Sequence, residues 1–159
     1  MRNLKDTFLA CVFLMMGPAL WAETKVLVHT DDNGVAVSGY DPVAFFEGGE
    51  PVKGLVEHRF VYKGALYLFE SRNNLEAFAA EPERYEPRFG GFCPVSLSEE
   101  SLKPGDPEKF RIVEGELYLL HDTAAVESFE AERLSFSDRF WKQQVEKHGL
   151  VYAPAISTP

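Results

Sequence analysis

Alternation of apolar and polar positions predicts two hairpins and a few short helices. Val26-Leu27-Val28 and Val35-Ala36-Val37 read as brief strands around the turn Asp31-Asp32-Asn33-Gly34. Asp41-Pro42 opens a helical turn, because proline is accepted at the first helical position, and the apolar residues Val43 to Phe46 are expected to face inward. Glu47 to Pro51 ends it. Glu57 to Glu70 alternates as a hairpin turning at Lys63-Gly64, with Phe60, Tyr62, Leu66 and Leu68 assigned to one buried parity. Ser71 is placed to cap a helix carrying Leu75, Phe78 and Ala79 at helical spacing, which stops before Pro82.

Gly90-Gly91 reads as a constrained loop or short strand. Phe110 to Leu120 forms a second hairpin, turning at Glu114-Gly115. Thr123 to Arg133 and Ser137 to His148 read as closing helices, the latter with Phe140, Trp141 and Val145 toward the core, and Ala153 to Pro159 as a loose tail. Repetition goes no further than the hairpins, where Tyr67 and Tyr118 each follow a turn glycine by three residues. The expected fold is α+β: a small antiparallel sheet of hairpins with one short packed helix and two C-terminal helices.

The amino end has the pattern of an export signal. Arg2 and Lys5 precede the apolar run Phe8 to Met16, Gly17-Pro18 breaks it, and Ala22 offers a small residue for cleavage. The expectation is a signal peptide over 1–22, a single domain over 23–152 and a periplasmic or secreted product without a stable membrane anchor. Phe8-Leu9-Ala10-Cys11 lies too near the start for a lipoprotein box and would leave apolar sequence behind it. The whole chain carries a formal charge of −9; without Arg2, Lys5 and Asp6, 14 basic and 24 acidic residues leave −10. Such acidity argues against nucleic acid and anionic lipid surfaces, which attract basic patches.

Loss of Cys11 with the signal leaves Cys93 as the lone cysteine, so no disulfide forms within the mature chain. Cys93 follows Phe89-Gly90-Gly91-Phe92, and the backbone N–H groups of Gly90 and Gly91 would favour its thiolate if they faced the sulfur. A metal ligand, a redox thiol, a nucleophile and a small buried hydrophobe among Phe89, Phe92 and Val95 are all open readings. The four histidines, His29, His58, His121 and His148, form no close pair. His58 and His121 are the ones that strand positions could bring to Cys93, while His148 suits a helix C-terminus. Met1, Met15 and Met16 leave with the signal, which removes thioether copper ligands. Tyr40 and Asp41 either line a pocket or serve as packing and a helix cap, and Glu81, Glu83 and Glu86 read as a solvated acidic face. No Ser/His/Asp order, phosphate loop or nucleotide fingerprint occurs.

Several stretches together resemble a YHS domain of the exported bacterial type. They are Gly39-Tyr40-Asp41-Pro42-Val43-Ala44-Phe45-Phe46, Tyr62-Lys63-Gly64-Ala65-Leu66-Tyr67-Leu68-Phe69, Phe78 with Pro82-Glu83-Arg84-Tyr85, and Phe89-Gly90-Gly91-Phe92-Cys93. Asp106-Pro107 leading to Gly115-Glu116-Leu117-Tyr118-Leu119 completes a resemblance over Val35 to Leu120. It implies a small α+β domain and an association with metals in some members. Metal-linked members carry Phe-Cys-Ser, two residues, Cys, three residues, Phe. Here Glu70 and Asn74 stand at the two thiol positions between Phe69 and Phe78, so the usual thiolate site does not carry over.

The leading expectation is therefore a non-enzymatic exported binding domain. It would take copper or zinc through Cys93, with His58, His121 or a second chain's Cys93 completing the site. The alternative is a structural or protein-interaction module with Cys93 in its core. The partners considered are a metal ion, another exported protein and a second copy in a homodimer. A thiol-redox role lacks a partner cysteine.

Overall fold

A computed structural model describes residues 24–152. The expected signal peptide over 1–22 and the expected tail over 153–159 lie outside the described residues. The fold is α+β, with three separate two-stranded antiparallel sheets rather than one sheet of hairpins. Strand β1 (Thr24–Val26) pairs with β6 (Leu150–Tyr152), β2 (Leu55–Tyr62) with β3 (Ala65–Phe69), and β4 (Asp106–Val113) with β5 (Glu116–Leu120). The helices are α1 (Ala44–Glu47), α2 (Arg72–Ala80), α3 (Pro82–Tyr85), α4 (Pro94–Ser98), α5 (Thr123–Ser128) and α6 (Leu134–His148).

Both expected hairpins are present, but the buried parity changes across the first turn. Lys63-Gly64 is a two-residue turn, so Tyr62 pairs with Ala65 and Phe60 with Tyr67, and paired residues share a face. The core face of β3 is Ala65, Tyr67 and Phe69, not Leu66 and Leu68, although Leu68 is also covered from the other side. In α2 the inward residue is Phe78, flanked by Leu75 and Ala77, while Ala79 is exposed. Phe78 meets the rings of Tyr67 at 4.9 Å and Phe69 at 5.2 Å.

Val35-Ala36-Val37 does not form a strand. Ala36 makes a single bridge to Thr30, and the chain then turns through Val37 and Ser38 with φ of 53° and 50°. The leader is recruited elsewhere: β1 joins the carboxyl end, and the His29 N–H donates to the Gly90 carbonyl at 2.9 Å. Helix α5 stops at Ser128 instead of continuing to Arg133. Phe129 takes an extended conformation that packs its ring 5.8 Å from that of Tyr118, and a 3₁₀ turn (Ala131–Arg133) leads into α6 at Leu134. Gly90-Gly91 lies in a 3₁₀ turn with left-handed residues, and Pro94 starts the unexpected helix α4.

Two stretches, residues 35–80 and 87–129, are built alike, a repetition that goes well beyond the hairpins. Val37-Ser38-Gly39 has φ of 53°, 50° and 77°, and Phe89-Gly90-Gly91 has 55°, 57° and 85°. Val35 bridges Leu66 in parallel as Pro87 bridges Leu117, and Tyr40 bridges Lys53 as Phe92 bridges Pro104. The Asp41 N–H donates to Val52 O (2.8 Å), and the Cys93 N–H to Lys103 O (2.9 Å). The Gly54 N–H donates to Gly39 O (2.9 Å), and the Gly105 N–H to Gly91 O (2.8 Å). Ser71 Oγ then accepts from the Asn74 N–H as Asp122 Oδ1 accepts from the Ala125 N–H, each capping a helix that covers its hairpin. Left-handed φ at Val37 and Phe89 costs on the order of 1–3 kcal/mol each, so its recurrence marks a turn that both units require.

The units share one core. Phe45, Tyr67 and Phe78 of the first pack in one cluster with Leu117 and Leu119 of the second, and Phe45 meets Phe110 edge to face at 4.9 Å. Helix α6 has no counterpart in the first unit. It lies on α4, where Ser137 Oγ donates to the Pro94 carbonyl at 2.8 Å, and covers a second cluster containing Phe89, Leu97 and Tyr118.

Candidate functional site

The residue before the shared proline is the keystone of each unit: Asp41 before Pro42, and Cys93 before Pro94. Asp41 is fully buried, and its carboxylate is surrounded by donors. The Val43 N–H donates to Oδ1 at 2.8 Å, while the Glu70 N–H at 2.9 Å and the Asn74 side-chain amide at 2.7 Å donate to Oδ2. A buried carboxylate is tolerated when charge-assisted hydrogen bonds of this kind replace its water. Asp41 thus ties the turn ahead of α1 to the end of β3 and the first turn of α2, while α1 itself starts after Val43 without a side-chain cap. Tyr40 points elsewhere. Its hydroxyl donates to Glu108 Oε1 on β4 at 2.8 Å, and Lys53 Nζ lies 3.8 Å from its ring centroid. The bond to Glu108, with a smaller effect of burial, raises the Tyr40 pKa.

Cys93 is equally buried but has apolar neighbours: Leu120, Ala125, Val95, Val126 and Phe129. Ala125 stands where the first unit has Asn74, and Leu120 where it has Phe69, so the polar tie becomes a hydrophobic contact. The carbonyls of Gly90 and Gly91 accept from His29 and Gly105 and hold the loop in place. A Cβ at Gly90 would overlap the Leu27 carbonyl oxygen, and its φ is left-handed, so the leader can approach only a glycine here.

The histidines separate. His121 and Cys93 line one small cavity of about 130 Å³, with Glu99, Lys103 and Asp122 around it. His121 Nδ1 is 2.9 Å from the Pro104 carbonyl. A carbonyl only accepts, so Nδ1 carries the proton there and Nε2 keeps its lone pair in the neutral ring. His58 lies on β2 at the bulge between Leu55 and Arg59 and does not line that cavity. His29 meets Phe92 edge to face at 5.5 Å, and burial holds its pKa below 6.5 against the opposing charge of Asp31. His148 ends α6, exposed.

The paired-thiol metal site does not fit this chain. The Asn74 amide and the Glu70 N–H, at the two thiol positions, both serve Asp41. Among the described residues no three His, Cys, Asp or Glu side chains gather as a metal cage.

A larger opening than this cavity lies elsewhere: a cleft of about 930 Å³ between β1, the two hairpin turns, the Arg88–Gly90 loop and α6. Asp138, Trp141, Lys142, Val145 and Glu146 of α6 line it, at the spacing of one helix face. That stripe was readable in the sequence, where only Trp141 and Val145 were singled out, as core. Lys63 and Glu86 meet on its wall at 2.6 Å with side chains only about a fifth exposed, so Glu86 is not part of a solvated acidic face. Burial pushes the Glu86 carboxyl up more than Lys63 pulls it down. Burial, the largest single influence, pulls the Lys63 ammonium down, but the hydrogen bond to Glu86, its charge and the Tyr62 hydroxyl together outweigh it and the net shift is upward.

Residues 44–88 match the family model of the YHS domain, from α1 through the first hairpin to Arg88. No curated protein and no solved structure matches the chain. The match takes in the hairpin, its capped helix and the entry to the second loop, and it ends where the second unit begins. The likeness to the YHS domain is thus confined to residues 44–88, and a second unit of the same build follows it.

Proposed function

We propose that this chain is a non-enzymatic exported binding module whose two most reactive buried side chains serve its architecture. The observation that carries this is the matched placement of Asp41 and Cys93, both fully buried at the same point of the two units and both engaged by internal neighbours. A carboxylate holding three donors and a thiol enclosed by apolar side chains are poor candidates for chemistry on a substrate. The open cleft is the surface left for recognition. Export accords with the signal pattern at the amino end and with an enclosed thiol, which resists oxidation in an oxidising compartment. Native protein treated with iodoacetamide is expected to remain unlabelled until denaturant is added. Rapid labelling of the native state overturns the reading.

A second reading is favoured by one observation: Cys93 and His121 share a cavity, and the Pro104 carbonyl orients the ring so that Nε2 can accept a metal. The YHS family is associated with metal-linked proteins. Copper or zinc would then sit between the thiolate and the imidazole, with a carboxylate or a second copy of the chain completing the site. Titration with zinc or copper(I) under reducing conditions separates the readings. One equivalent bound by the native protein and lost in both Cys93→Ser and His121→Ala establishes the metal site.

A further inference from the structure

We infer that the cleft between α6 and the second unit's loop binds a small amphipathic organic anion, with Arg88 and Lys142 receiving its charge and Phe89, Trp141 and Val145 its apolar body. This deepens the binding-module reading and rests on it. The cleft is closed by α6 and β1, which have no counterpart in the first unit. Helix α6 and β1 stand against the Arg88–Gly90 loop, and Arg88 occupies the place held in the first unit by Ala36, which is 1% exposed. A cation thus replaces a buried methyl group, and the replacement brings an incompletely satisfied donor set.

Arg88 has five N–H donors. Its Nε is buried without a hydrogen-bond partner. Glu116 Oε2 lies 3.3 Å from Nε but already accepts the Tyr118 hydroxyl at 2.7 Å, and the Asp138 contact, at 3.5 Å, is at the long limit of a hydrogen bond. Charged partners are therefore near the guanidinium while most of its bonding capacity remains open, and its side chain is 42% exposed. The exposed part of the guanidinium is where an anionic acceptor entering the site can form charge-assisted hydrogen bonds.

The other charges of the wall divide unevenly. Lys63 is paired with Glu86 and Lys25 with Glu146. Lys142 makes no ion pair among the described residues, and Arg84 pairs with Glu81 across 3.4 Å and lies 5.2 Å from the Tyr85 ring centroid. Lys142 and Glu83 are the lining charges without an ion pair among the described residues, so the anion's place is set by the positions of Arg88 and Lys142 beside the apolar wall and not by the net charge of the lining. Phe89 and Trp141, with ring centroids 6.1 Å apart, and Val145 supply an apolar wall one turn along α6 from Lys142. About 930 Å³ is room for a ligand of drug-like size.

The test uses two probes with the same aromatic body, 8-anilinonaphthalene-1-sulfonate and the uncharged N-phenyl-1-naphthylamine. Calorimetric titration of the full chain is expected to show one equivalent of the sulfonate bound, displaced by decanoate. Arg88→Gln should weaken the sulfonate about tenfold, the equivalent of about 1.4 kcal/mol, and Lys142→Gln about threefold, with N-phenyl-1-naphthylamine changed by less than about twofold. Equal loss of both probes, or equal affinity of the native protein for them, overturns the anion site. Should Arg88→Gln fail to fold, the exposed Lys142→Gln variant decides alone. Iodoacetamide labelling of Cys93 is independent of this outcome, so failure of the cleft and failure of the buried-thiol reading are told apart.

Discussion

Before its proline, the first unit places a carboxylate held by three hydrogen bonds, and the second places a thiol held by apolar contacts. The backbone around the two is nearly the same. Strand bridges, left-handed turns and helix caps recur from one unit to the other. The comparison teaches that the turn specifies a buried side chain linking loop, strand end and helix start, while the chemistry of the link is free provided its neighbours change too. Asn74 accompanies Asp41, and Ala125 accompanies Cys93.

Exchanging the keystones should expose this dependence most strongly. Cys93→Asp places an uncompensated carboxyl among Leu120, Ala125 and Phe129, at a cost on the order of 4 kcal/mol. Adding Ala125→Asn supplies the missing donor and should return about 1–2 kcal/mol, read as coupling in a double-mutant cycle of urea unfolding. Strict additivity would refute the equivalence of the two sites.

Close packing at the hairpin entrances offers the next largest effect. A Cβ at Gly54 would collide with the Leu68 backbone, and one at Gly105 with the Leu119 backbone. Gly54→Ala and Gly105→Ala should therefore destabilise similarly, by about 3 kcal/mol each. A tolerated substitution at only one of them would show that the units differ there. Asp41→Ala strands the Asn74 amide and two backbone N–H groups and should cost about 2–3 kcal/mol. Cys93→Ala removes one sulfur from an apolar site and should cost only about 1 kcal/mol. Thermal or urea denaturation of this pair measures how far the polar keystone exceeds the apolar one.

The smallest effect falls on His29, which belongs to the second unit's side of the comparison through Phe92. Burial depresses its pKa, so the folded state favours the neutral ring. Its contribution to stability is complete above 6.5 and declines as pH falls from there through the lower folded value. The imidazole proton resonances should titrate with a midpoint below 6.5, and His29→Gln should flatten the stability profile in that interval. A midpoint at or above 6.5 would contradict the burial account.

The hairpins, the Ser71 cap and the Asp41-Pro42 turn were legible because each depends on neighbours in sequence. The parity error in β3 arose at the two-residue turn, which brings residues of opposite parity onto one face. The repetition was hidden by its spacing. Gly39 and Gly91 are 52 residues apart, whereas Gly54 and Gly105 are 51 apart, so no single period aligns both loops and hairpins. Its keystones also differ in residue type, and what they share is backbone conformation. Cys93 was legible as the unusual residue, but its enclosure depends on Leu120 and Ala125, which the fold brings in from a distant part of the chain. The cleft was not readable because it requires β1, α6 and both hairpin turns together.

The β1–β6 ladder joins residues separated by nearly the whole described chain, with three pairs between Thr24–Val26 and Leu150–Tyr152. Contacts of such long sequence separation form late, after the more local hairpins. In the folded state the same short ladder is held at its margin by the exposed ion pair of Lys25 and Glu146, whereas the hairpins rest on the shared core. Amide hydrogens of β1 and β6 should therefore exchange by local opening well before those of β3 and β5. Because β1 forms part of the cleft wall, the entrance to the cleft can breathe as a seam while the two units behind it stay closed.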